Sequence, residues 1–236
     1  MTGKFLKRKA KKLLTPYVDR IKIFFYNVRR IFVKHSIKNK DFSIISNNCW
    51  AGKVYQYLDM PYLSPTAGLY FFAPDYIKFV SDLHHYLDAP LRFINPQESK
   101  YYAEIKRRNQ LDKPIGIIDD VEIVFLHYKT REEAAEKWNR RKARVNYDNI
   151  ILKFSRMDLC TEKEIATFDA IEFKNKFVLN NRLPLKYTCE IYWNEPYKPD
   201  GIRRDTEPFP GNIKLRNILN VTSEKYPLNT FSLKEE

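Results

Sequence analysis

The residues most suited to chemistry fall in four groups. The first is the turn Asn47-Asn48-Cys49-Trp50. Phe42 to Ser46 (FSIIS) reads as a short buried strand and Lys53 to Leu58 as the start of a helix, so the turn sits at a strand's carboxyl end, where α/β units bind ligands. The asparagine amides suit sugar hydroxyls or phosphate oxygens, and Trp50 joins them as a substrate contact. Cys49, at a helix N-terminus, is expected to have a lowered thiol pKa and could act as a nucleophile. A nucleophile needs a base within reach, and His127 is the histidine placed at a strand end. It could also assist an acceptor hydroxyl or bind phosphate. The competing reading is structural: a small buried cysteine, with asparagine side chains bridging the turn.

The second group is Asp119-Asp120, an acidic pair that could hold Mg²⁺ bound to a nucleotide-sugar diphosphate. It precedes a strand, at the end opposite to that used by ligands, and turn formation is its plainer role. The third is Arg140 and Arg141, on one helix with Lys137, Lys142 and Arg144. Arginine is the better planar clamp for phosphate, but the helix also offers these side chains a solvated face. The fourth is Asn149, a candidate substrate contact at the start of a strand, which together with Asn146 is also explained by turn chemistry. His84 and His85 read as helix-terminal or solvated histidines, and Trp138 as core.

The elements that must position these groups alternate. Pro74 to Leu87 has an apolar stripe (Tyr76, Phe79, Val80, Leu83, Leu87) with proline in its first turn, and is predicted to be one helix. Tyr101 to Gln110 reads as a short charged helix. Val121 to Tyr128 (VEIVFLHY) is β-branched and aromatic throughout, a strand that leaves His127 at its carboxyl end. Thr130 to Glu133 is a capping box opening a helix that runs to about Arg144. Asn149 to Ser155 (NIILKFS) is the next strand, Thr161 and Glu164 cap a further short helix, and Phe177 to Leu179 and Tyr187 to Trp193 are strands. This predicts an α/β, Rossmann-like domain over residues 41–221, its mainly parallel sheet flanked by helices. A short helical turn is expected at Asn217 to Val221, and residues 222–236 form a tail. Neither the dinucleotide fingerprint nor the Walker spacing is present.

Residues 1–40 form a separate arm. Up to Asp41 there are thirteen Lys or Arg and two acids, eleven of the chain's formal net charge of +13. Lys7, Arg8, Lys11 and Lys12 open it. After Pro16, Val18, Ile21, Phe24, Phe25, Val28, Ile31 and Phe32 recur at helical spacing, with Arg20, Lys22, Arg29, Arg30 and Lys34 between them. The pattern fits a helix lying on an anionic membrane, aromatics in the interface and cations on phosphates, each contributing about 1 kcal/mol. The alternatives are a core helix with a solvated basic face, or a nucleic-acid arm, which no motif supports. No apolar run is long enough to span a bilayer, and charges interrupt any candidate signal h-region. Three scattered cysteines argue for a reducing compartment, and the histidine and cysteine spacing argues against structural zinc.

Three segments together, IISNNCWAG (Ile44 to Gly52), SPTAGLYFFAPDYIKFVSDLHHYL (Ser64 to Leu87) and the stretch from Pro114 to Asp158 with its W-N-R-R and N-x-x-N order, resemble the uncharacterised DUF1919 family. Its members are usually labelled exopolysaccharide or capsular polysaccharide biosynthesis proteins. The resemblance covers roughly residues 40 to 220. It implies an α/β body working on surface polysaccharide, and supplies no settled reaction. Together with the arm it leads to an expected cytoplasmic protein, peripheral at the inner face of the membrane, that transfers a glycosyl group from a nucleotide sugar to a glycan or lipid-linked glycan. The alternatives are a decorating acyl- or phospho-transferase built on Cys49, or a sugar-binding scaffold.

Overall fold

In the computed structural model, the described residues are 2–196, 198, 201–205 and 215–220, with side chains from residue 18 onward. Residues 222–236, the expected tail, and the side chains of Lys7, Arg8, Lys11 and Lys12 lie outside them.

Two sheets form the body. The first contains β1 (Ser43–Ser46), β5 (Ile150–Ser155), β6 (Lys176–Asn180) and β7 (Glu190–Tyr192), in that spatial order and all parallel. The second contains β2 (Arg92–Ile94), β3 (Ile115–Ile118) and β4 (Val121–Val124), all antiparallel. The expectation of a mainly parallel sheet therefore holds for the first sheet only. The long connection from β1 to β5 folds into helices and its own small sheet. The segment predicted as one strand to Tyr128 stops pairing in β4 at Val124, and its neighbour is the hairpin partner β3. That strand was hidden because Ile115 to Ile118 is only four residues long and carries Gly116.

Alternation along the parallel strands divides the core. Ile45, Leu152, Phe154 and Val178 face one cluster with α3 (Ala73–Ser81), α6 (Arg131–Lys142) and α7 (Glu162–Ala170). Ile44, Ile151, Phe177 and Leu179 face the other, with α2 (Trp50–Leu58) and α8 (Leu215–Asn220). Burial on both faces explains why β5 reads as a nearly continuous apolar run. The expected helix from Pro74 to Leu87 is two helices. Asp82 leaves helical geometry (φ −140°) and its side chain accepts from the His85 amide at 3.3 Å, opening α4 (Leu83–Asp88). The short helix α5 (Tyr102–Arg107) follows β2, and both threonines cap their helices: Thr161 forms a full capping box with Glu164, whereas Thr130 accepts from the Glu133 amide and the Glu133 carboxylate turns to the Lys129 amide, so the expected box there is half formed.

The arm is one helix, α1 (Thr2–Ser36), continuing through Pro16. Its second half docks along one side: Tyr26 packs edge-on against Tyr57 of α2 at 5.4 Å, Val33 and the following Ile37 are buried, Lys34 bonds Asp59, and Asn220 of α8 holds the Ser36 carbonyl at 3.0 Å. Phe24, Phe25 and Phe32 are more than 60% exposed, and Val18, Ile21, Val28 and Ile31 are exposed with them. The core-helix reading of this stripe is thereby excluded for residues 18–32.

Candidate functional site

The carboxyl ends of the parallel strands meet at the turn after β1. Asn47 is wholly buried; its amide donates to the Ser155 carbonyl at 3.1 Å and its Oδ1 accepts from the Ser155 amide at 3.0 Å, clamping β1 to β5. Asn48 is 4% exposed and donates to both carboxylate oxygens of Asp205, at 3.0 and 2.8 Å, while its Oδ1 accepts from Lys153 Nζ and the Trp50 amide. Trp50 is 1% exposed and packs on Phe177. The side chains of these three residues are buried and hold the architecture. Asn149 is likewise buried, its amide on the Asp41 carbonyl at 2.8 Å.

Lys153 lies inside β5, fully buried, and is ion-paired to Asp205, which also accepts from Ser155. A lysine in an apolar strand must find a partner or lose its charge. Burial pulls its pKa down and Asp205 pulls it back up. The pair ties the segment at 201–205 onto the sheet. Gly201 makes that approach possible: its φ is +86°, and a Cβ there would overlap the Arg156 carbonyl and come within 2.6 Å of Met157 Cα.

Beyond this network, immediately after β5, lies a cleft of about 240 Å³. Arg107 and Arg108 line it from the end of α5, Arg156 and Asp158 from the end of β5, Arg182 from beyond β6, and Lys198 and Glu104 complete its charged wall. Five cations face two carboxylates, Glu104 holding Arg107 at 2.8 Å and Asp158 holding Arg108; Arg156 is also paired with Glu162 at 2.7 Å, and the cations still outnumber these three acids, so the cleft suits an anion. Asp158 and Leu159 are consecutive non-glycine residues with positive φ, +55° and +68°. Such strain costs on the order of 1–3 kcal/mol per residue and gathers at functional sites. The Asp158 carbonyl accepts from the Ala73 amide at 2.8 Å, so the start of α3 pins the turn. Arg108 Nη1 holds Asp158 Oδ1 at 2.6 Å. Burial pushes the Asp158 carboxyl up to about 6 against the pull of Arg108, and Asp205 adds to the rise. A carboxyl that titrates near neutrality can take or give a proton at working pH.

The sequence reading missed this cleft. Its signals were there: Arg-Met-Asp directly follows the strand ending at Ser155, at the end where ligands bind, and the lysine inside that strand announced a buried partner.

The other predicted site residues divide. Cys49, His127 and Arg141 do come together, lining a second cleft of about 290 Å³ between α2, α6 and the loop at Gly68. Cys49 is not activated there. Its thiol is 8% exposed, points to the Leu69 carbonyl at 3.6 Å, and is pushed up to about 11 by burial, with Asp205 adding to the rise. Desolvation outweighs the helix N-terminus, the reverse of the expected lowering. His127 is exposed beyond the end of β4, outside the parallel sheet, and burial together with Lys53 and Lys113 pulls its pKa down. Asp119 and Asp120 form the β3–β4 turn, where Asp119 pairs with His85 at 2.6 Å and Asp120 with Lys78 at 2.5 Å and Tyr86 at 2.9 Å. These contacts fasten the hairpin to α3 and α4, the turn role that was the plainer of the two readings. Arg140 is exposed and paired with Glu136 at 3.1 Å.

Residues 20–202 match the family described as Domain of unknown function (DUF1919). The chain belongs to that family. The match begins inside α1, so it includes the half of the arm that carries the exposed apolar stripe and extends the family likeness beyond the body. A relative, an uncharacterised protein of Haemophilus influenzae, is 30% identical over 187 residues, covering 78% of this chain and 84% of its own.

Proposed function

We propose that this protein is a membrane-peripheral transferase of exopolysaccharide or capsular polysaccharide assembly, moving a glycosyl group from a nucleotide sugar to a glycan or lipid-linked acceptor. The polysaccharide context rests on the family resemblance. The donor's diphosphate occupies the cleft beyond β5, a Rossmann-like use of the sheet in which ligand sits outside the carboxyl ends of parallel strands. The observation that carries the reading is Asp158, a buried carboxyl near pKa 6 on a strained turn, facing a cationic cleft. Its Oδ1 is engaged by Arg108, which leaves Oδ2 to accept a proton from the acceptor hydroxyl. As that proton leaves, the hydroxyl oxygen bonds the anomeric carbon, and the carbon–phosphate-oxygen bond breaks with its electrons going to the nucleoside diphosphate. Arg156 and Arg182 stabilise the charge of the departing diphosphate.

The exposed stripe of α1 supports the peripheral placement. Phe24, Phe25 and Phe32 present the apolar face, and Arg29 and Arg30 carry the charge that an anionic leaflet attracts. Among the described residues no helix is long and apolar enough to cross a membrane.

The test is ligand-induced thermal stabilisation of the full chain with nucleotide sugars, free nucleotides, acetyl-CoA and CDP-polyols, each with and without Mg²⁺, followed by turnover of the stabilising donor. At a hundredfold excess over Kd a ligand adds about 2.7 kcal/mol. Asp158→Asn is expected to keep donor binding and lose about 10²–10⁴ in turnover. Cys49→Ser is expected to leave turnover within a few-fold. A severe loss there would return the reaction to a covalent decoration enzyme, and no stabilisation by any member of the panel would favour the scaffold reading.

A further inference from the structure

The second cleft holds an unbalanced cation. Arg141 is 8% exposed, and both of its hydrogen bonds leave from Nη1, one to the Ala67 carbonyl at 3.0 Å and one to the Tyr128 hydroxyl. Its guanidinium lies 4.3 Å from the centre of the Tyr62 ring. No carboxylate among the described residues pairs with it. A buried charge in that state is costly unless an anion completes it. Two more cations line the same cleft. Lys53 makes no ion pair among the described residues, and Lys137 is paired with Glu133 at 2.5 Å. His127 stands at the rim, its imidazole held towards the neutral, hydrogen-bonding form.

We propose that this cleft is a second ligand site, separate from the one beyond β5, and that it takes a phosphate or pyrophosphate ester. Arg141 offers Nε and Nη2 to the phosphate oxygens from a fixed position, pre-set by its bonds to Ala67 and Tyr128 and by the Tyr62 ring. Lys53 and Lys137 close on the charge from either side, and His127 completes the rim. The inference does not depend on the reaction proposed above, because it rests on the uncompensated guanidinium and the lining charges alone. A free sugar phosphate and the phosphate of a larger conjugate share this chemistry.

The readout is the imidazole proton resonance of His127, assigned with His127→Gln, during titration of the full chain with inorganic pyrophosphate, glucose 1-phosphate or UDP, and with glucose as the neutral control. A saturable shift at His127, absent at His84 and His85 and absent with glucose, is expected. The pair Lys53→Ala/Lys137→Ala, an exposed and a half-buried lysine, spares the buried guanidinium and should weaken it at least about tenfold, and Arg182→Ala in the other cleft should leave it unchanged. If glucose 1-phosphate alone saturates the site the ligand is a sugar phosphate, and if UDP binds tighter it is a nucleotide diphosphate. No His127 shift at millimolar pyrophosphate, or a shift that persists in the double variant and vanishes in Arg182→Ala, would overturn the proposal.

Discussion

Asp158 should leave a signature in the pH dependence of stability. Its carboxyl moves from 3.8 to about 6 on folding, so the folded protein holds that proton more tightly than the unfolded chain does. The stabilisation this provides is therefore complete below pH 3.8 and is lost as pH rises through 6. The displacement corresponds to about 3 kcal/mol in all, of which about 1.4 kcal/mol falls between pH 5 and 7.5. Asp158→Asn removes the titration and keeps a side chain of the same shape beside Arg108. Urea unfolding of both proteins across that range should show wild type losing about 1.4 kcal/mol relative to the variant as pH rises. Unpairing Arg108 adds an offset that does not vary with pH, so it cannot imitate the slope. Two parallel curves would refute the argument that desolvation governs Asp158. A wild type that gains on the variant with rising pH would mean that the Arg108 pair wins instead.

Three further outcomes follow from the geometry. Gly201→Ala must place a Cβ against Arg156 and Met157 at a positive φ, and should cost about 2–4 kcal/mol by denaturant midpoint; a midpoint equal to wild type would show that the close approach of Gly201 to Arg156 and Met157 is not needed. Asp205→Ala strands the buried Lys153 and should cost about 3–5 kcal/mol, whereas Lys153→Met/Asp205→Leu should recover most of it; equal losses would place the contribution in Asn48 and Ser155. Arg29→Gln/Arg30→Gln should lower co-sedimentation with anionic vesicles by about thirtyfold, from about 2 kcal/mol of lost attraction, and unchanged binding would exclude lipid as the partner of α1.

What the sequence determined by itself was local. Helical periodicity laid out α1, the threonines at 130 and 161 fixed two helix starts, and short, nearly continuous apolar runs marked β1 and β5. These signals depend on near neighbours, and folding left them unchanged. Which strand paired with which was decided only in three dimensions: β4 read as a parallel strand because its composition carries no record of its partner, and β3 was too short to register. The same holds for the site. Cys49 and His127 looked reactive by residue type, yet burial raises one and a loop displaces the other from the sheet edge. Asp158 looked ordinary until folding brought in Arg108 from 50 residues away and closed the segment at Asp205 over the strand end. A pKa is set by desolvation and by charges gathered from distant parts of the chain. Both quantities exist only once the chain has packed, which is why the sequence revealed the scaffold and the tertiary structure chose the residues.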